Sequence, residues 1–202
     1  MAATAERVIL ASASTARARL LRAAGVEFTA EPAEIDEPQL KREARRAGHS
    51  ALGCAMRLAT EKARVISRRH PLALVIGADQ IVVAGEEWFD KPLDRFDAGA
   101  QLRGLRGRVH ELATAACVVQ DGVTLWDATS VPEMHMRRFS DAFVEAYVAA
   151  EGEALLGSVG AYRLEGRGAQ LFSRITGDYF AVLGLPLIEL LGFLRDRGVM
   201  LT

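Results

Sequence analysis

The segment 72–83, LALVIGADQIVV, is an apolar run broken only at Gly77-Ala78-Asp79-Gln80. Runs this rich in Val, Ile and Leu read as a strand covered on both faces. A carboxylate at such a place costs several kcal/mol unless it is paired or binds a metal. Asp79 is therefore either a cap at a strand end or a working carboxylate. Gly77, two residues earlier, lets the backbone turn or lets something approach it closely.

The cations are as informative as the acid. Lysine occurs only at Lys41, Lys62 and Lys91, whereas arginine is abundant. Lys62 falls within an apolar helical stripe made by Ala51, Ala55, Leu58, Ala59 and Ile66. A lysine on a core-facing side either snorkels or meets an anion. Near the start, Ser14 can cap a helix whose first turn holds Arg17. Free backbone N–H groups, the helix dipole and a guanidinium then all favour an anion.

Further acids lie at Glu34, Asp36 and Glu37, before Pro38, and at Glu165 and Asp178 in a glycine-rich stretch. The loop 104–110, GLRGRVH, carries two arginines and a histidine. It reads equally as a phosphate or partner contact and as a basic surface loop. Carboxylates combined with cations and an anion-binding helix start suit a phosphorylated substrate and a divalent metal. Metal and cations would neutralise charge on the phosphate oxygens, and a carboxylate would orient or deprotonate water. No Walker A motif, GxGxxG or GxSxG is present, which removes support for P-loop, dinucleotide-binding and α/β-hydrolase readings.

The elements that must position these residues are legible in outline. Strands are expected at 7–11, 26–30, 72–83, 86–89, 112–119 and 123–136. Helices are expected at 15–24, 51–69, 94–102, 141–150 and 187–197. Asp121-Gly122 is a type I′ hairpin signal. Phe143 and Tyr147 are spaced as core residues of one helix. Six glycines between 157 and 184 mark an ordered loop region with close backbone approaches. No repeat or linker is visible, so one compact α/β unit spanning 1–202 is expected.

Bulk properties narrow the function classes. The formal net charge of −1 offers no basic field for nucleic acid. No apolar run approaches the roughly 18 residues of a membrane span. The opening MAATAERVILASAS lacks the apolar core of a secretion signal. Cys54 and Cys117 have no metal spacing and are expected in the core, which suits a cytoplasmic setting.

Taken in order, LASAS with the following Arg17, IDE, RLATEKA, GADQIVV, DKP, GRVH, GAYRLEGRGAQLF, GDYF and GLPL resemble the Maf-like family of nucleoside triphosphate pyrophosphatases. The resemblance runs nearly end to end. It implies an elongated mixed sheet, with helices forming two lobes around a cleft as in inosine-triphosphate pyrophosphatases. It also implies hydrolysis of a nucleoside triphosphate between the α and β phosphates with Mg²⁺ or Mn²⁺. The expected partner is the nucleotide, with no nucleic acid and no membrane; a cytoplasmic enzyme and a possible homodimer follow from the family pattern.

Carried over residue by residue, Asp79 matches the proton acceptor, and Lys62 and Lys91 match the motif lysines. Ser14 and Arg17 match the phosphate-facing opening. Asp36, together with Asp79, would bind metal. Ala16, Gln80 and Glu165 fall at positions that tune base selection, and Gln80 with Glu165 resembles the branch acting on 7-methyl-GTP. A carboxylate there would favour a methylated, cationic purine. The same resemblance admits an alternative of another class, a nucleotide-binding regulator of septum formation that needs no turnover.

Overall fold

A computed structural model describes residues 6–201. Its centre is a mixed sheet of order β2-β1-β3-β5-β7-β8, with β4 paired to β3 and β6 paired to β5. The strands β1 (Val8–Leu10), β2 (Thr29–Ala30) and β3 (Leu74–Ala84) run parallel. The remaining pairings, among β4 (Glu87–Phe89), β5 (Val109–Gln120), β6 (Val123–Ser130), β7 (Glu133–Met136) and β8 (Phe172–Thr176), are antiparallel.

Local chemistry explains most boundaries. Ser14 caps α1 (Thr15–Ala23) and Ser50 caps α3 (Ala51–Arg69), each side chain accepting from the N–H three residues on. Asp94 and Ser140 do the same for α4 (Arg95–Leu105) and α5 (Asp141–Glu151). Asp121 (φ 48°) and Gly122 (φ 74°) are both left-handed, as a type I′ turn between β5 and β6 requires.

Three expectations are modified. The strand expected at 26–30 shrinks to Thr29–Ala30 because Val26 N–H closes α1 on Leu21 O at 3.0 Å, a Schellman bond that takes its donor out of the sheet. The strand expected at 123–136 divides into β6 and β7 around Pro132, which cannot donate to a ladder. The glycine-rich region forms short 3₁₀ turns at Gly152–Gly157, Val159–Ala161 and Arg167–Leu171, followed by β8. One helix was not anticipated, α2 (Glu37–Arg46), started by Asp36 and Pro38. The chain closes with α6 (Tyr179–Val182) and α7 (Leu187–Asp196).

The buried apolar residues form four clusters among the described residues. One joins Val82, Leu102, Met134, Tyr147, Tyr162 and Leu171 beneath α4, α5 and the 3₁₀ turns. Two cover the parallel strands, one beneath α1 and α7 and one beneath α3, and the fourth joins α2 and α3 to Ile81 and Ala113. The sheet runs through all of them, and a cleft of 680 Å³ is lined by the start of α1, by α2, by the middle of β3 and by the 3₁₀ turns. Among the described residues, no helix is long and apolar enough to cross a membrane.

Candidate active site

Asp79 sits in the middle of β3, opposite Ala115 of β5, and is 6% exposed. Its partner comes from α3. The positions Ala51, Ala55, Leu58, Ala59 and Ile66 are buried as their spacing predicts, and Lys62 is buried with them. Gly77 makes the meeting possible. A Cβ on Gly77 would lie 2.0 Å from Ala59 O and 2.9 Å from the Ala63 Cβ, so the helix packs on bare backbone.

Lys62 Nζ then reaches Asp79 Oδ1 at 2.6 Å and Glu37 Oε1 at 2.7 Å. One ammonium thus bridges two carboxylates from different elements, offsetting the cost of burying Lys62 and Asp79. Burial alone would raise the Glu37 carboxyl, but Lys62, with Lys41 and Lys91 farther off, holds it below its ordinary value. Lys91, at the exposed rim, is lowered first by partial desolvation of its amine and then by repulsion from Arg17.

Arg17 is 9% exposed. It donates from Nε to Gly184 O at 2.8 Å, and from Nη1 to Ala78 O at 2.9 Å and Ser12 Oγ at 3.1 Å. The guanidinium therefore fastens α1 to β3 and to the turn after α6. Burial lowers its pKa, opposed by the charges of Asp79 and Glu37. Ser14 Oγ accepts Arg17 N–H at 3.3 Å, so it serves as cap and as cleft wall together.

Gln80 lines the cleft, but its amide is committed. Nε2 donates to Thr114 Oγ1 at 2.7 Å and to Ala181 O at 2.9 Å, tying β3 and β5 to α6. Glu165 lines the opposite wall, 2.8 Å from Arg19 Nη2 and 3.7 Å from Arg163 Nε. Ala16 faces the same cleft. Asp36 is placed elsewhere. It is exposed, its Oδ1 accepts Gln39 N–H at 2.8 Å as the cap of α2, and it does not line the cleft. The neighbouring Glu37 takes the inward position.

Residues to which the sequence gave no site role complete the wall, among them Trp88 on β4, and Lys41, Arg42 and Arg45 on α2. The unanticipated helix is the reason. Once 37–46 is helical, positions 41, 42 and 45 share a face with Glu37 and Pro38.

Glu37 Oε1 and Asp79 Oδ1 converge on the Lys62 ammonium, and the second oxygen of each carboxylate is a hard donor of the kind that Mg²⁺ or Mn²⁺ takes alongside waters and substrate phosphates. Among the described residues, no group of three His, Cys, Asp or Glu side chains is poised to enclose a metal without such a partner. The donor set fits a substrate-borne cation rather than a dedicated cage.

A mixed sheet flanked by helices, with a buried Lys62–Asp79 pair in its cleft, marks an α/β protein whose cleft brings acids and cations together. Residues 7–197 match the family described as Maf-like protein, and the chain belongs to that family. It is 52% identical over 194 residues to the nucleoside triphosphate pyrophosphatase of Granulibacter bethesdensis, covering 96% of this chain and 98% of that one. Identity to the nucleoside triphosphate pyrophosphatase of Rhodospirillum rubrum is 47% across the whole of both chains. Identity to the 7-methyl-GTP pyrophosphatase of Rhizobium etli is 44%, over 96% of this chain and 98% of that one.

Proposed function

We propose that this protein hydrolyses a nucleoside triphosphate to the monophosphate and pyrophosphate. The observation that carries this reading is the Glu37–Lys62–Asp79 bridge in a cleft that also holds Arg17, Lys41, Arg42, Arg45 and Lys91. A water oxygen attacks the α-phosphorus and its proton passes to Asp79. The bond from that phosphorus to the α–β bridging oxygen breaks, and its electron pair leaves with pyrophosphate. Lys62 and Lys91 offset charge gathering on the phosphate oxygens. Glu37 and Asp79 would hold the divalent cation, which supplies further charge neutralisation when bound. The names carried by the relatives support the same chemistry.

The base preference proposed is 7-methyl-GTP. Support comes from Glu165 on the cleft wall and from the name of the Rhizobium etli relative. Arg19 and Arg163 share the Glu165 charge, so the expected preference over GTP is modest. The buried free thiols Cys54 and Cys117 suit a reducing cytoplasm.

The test is pyrophosphate release from dTTP, UTP, CTP, GTP, ITP and 7-methyl-GTP with Mg²⁺ or Mn²⁺. Release from any of them, abolished in Asp79→Asn, supports the reaction. Preference for dTTP or UTP overturns the base assignment alone. Absence of release from folded protein favours a nucleotide-binding regulator instead.

A further inference from the structure

The cleft is electrically lopsided. At one end Glu165 is balanced by Arg19 and Arg163, and Arg163 also lies 3.6 Å from Glu151. At the other end one face of α2 presents Lys41, Arg42 and Arg45, with Lys91 beside them. The acid Asp90 is paired to Lys41, and together with burial this pairing sets the ammonium; the net effect of Asp90 is to raise its pKa. Arg42 and Arg45 have no carboxylate partner among the described residues. The Arg45 guanidinium instead lies 4.3 Å over the Trp88 ring, which fixes its position while leaving its charge uncompensated.

We infer that Arg42 and Arg45 form a subsite for the β- and γ-phosphates, and so for the departing pyrophosphate. The inference rests on the proposed reaction and gives the substrate a direction in the cleft. The nucleoside lies toward Ala16 and Glu165, the α-phosphate at the Glu37–Lys62–Asp79 bridge, and the polyphosphate tail along α2. Charge decides the direction. A triphosphate tail concentrates several negative charges; Arg19 and Arg163 are held by acids and Arg17 by Gly184 O, Ala78 O and Ser12 Oγ, which leaves Arg42 and Arg45 as the guanidiniums of the cleft wall with no hydrogen-bond partner among the described residues. The arrangement also selects triphosphates over monophosphates, because a monophosphate has nothing to place there.

The experiment is calorimetric titration of the full chain with inorganic pyrophosphate and, separately, with a nucleoside monophosphate. It compares the wild type, R42A/R45A and the control R46A, whose arginine is on the same helix but outside the cleft wall. Loss of two charge-assisted contacts should weaken pyrophosphate binding about tenfold or more, and monophosphate binding less than twofold or so. The KM for the triphosphate should rise in parallel. Equal loss in R46A, or unchanged pyrophosphate affinity in R42A/R45A, overturns the subsite. Loss confined to the monophosphate also overturns it, assigning Trp88 to the base. Pyrophosphate titration needs no turnover, so failure of the proposed reaction would be seen separately from failure of the subsite.

Discussion

Lys62 Nζ lies 2.6 Å from Asp79 Oδ1, and each side chain is only 9% exposed. The pair joins the middle of a helix to the middle of a strand, with Glu37 closing it from a third element at 2.7 Å. Arg17, Lys41 and Lys91 add positive charge around the same two carboxylates, so the acids of the bridge stand in a cationic surrounding suited to an anionic substrate.

Asp79→Asn keeps the shape of the side chain and leaves Lys62 paired with Glu37. It should retain the fold, by circular dichroism and thermal melting, and lower kcat about a hundredfold or more, the scale of removing a positioned proton acceptor. Lys62→Met removes the shared cation and leaves Glu37 and Asp79 facing each other. Its melting temperature should fall, and added Mg²⁺ should raise it more than in the wild type. Equal Mg²⁺ shifts in both proteins would contradict the assignment of these carboxylates.

Gly77→Ala tests the close approach that builds the pair. The added methyl would lie 2.0 Å from Ala59 O, a backbone atom that cannot move alone. Either α3 lifts from β3 or the strand shifts. Denaturant titration should show a loss of about 3 kcal/mol, the upper range for overpacking. Residual activity should fall with it, because Lys62 rides on the displaced helix.

His110 predicts how stability depends on pH. It is 1% exposed, its Nε2 lies 2.8 Å from the Tyr162 hydroxyl, and its Nδ1 has no protein partner. Burial, and then the Arg108 charge, lower its pKa from 6.5 to about 4. The folded state therefore binds fewer protons than the unfolded state between these values. Stability is full above 6.5, falls as pH drops, and has lost about 3 kcal/mol by pH 4 from this group. Chemical denaturation from pH 7.5 to 4 should show the slope, and His110→Gln should flatten it.

Gln80→Glu would set a carboxylate against Ala181 O and Val182 O, where the amide now donates. A loss of about 1–3 kcal/mol is expected, the cost of turning a buried donor into an acceptor. Thermal melting reads it directly. An unchanged melting temperature would mean that Gln80 is free for the base and does not tie β3 to α6.

The periodicity of 51–69 is enough to define α3 to the residue and to place Lys62 inward, because helical geometry converts spacing into direction without any neighbour. Ser14, Ser50, Asp94 and Ser140 mark their helices for the same local reason. Asp79 stands out because an acid within an apolar run has few explanations. What sequence could not decide is which acid of 34–37 meets Lys62. Asp36 and Glu37 are neighbours, and the start of α2 sends one to cap the helix and the other into the cleft. The same helix, weakly patterned and rich in charge, brings Arg45 over the ring of Trp88, more than 40 residues away, and Arg42 into the same cleft. His110 and Tyr162 meet across 52 residues in the same manner. Local propensity acts over a few residues, so it fixes elements and caps. Pairing between distant charges depends on how those elements pack, and only the assembled sheet and the clusters packed on it determine that.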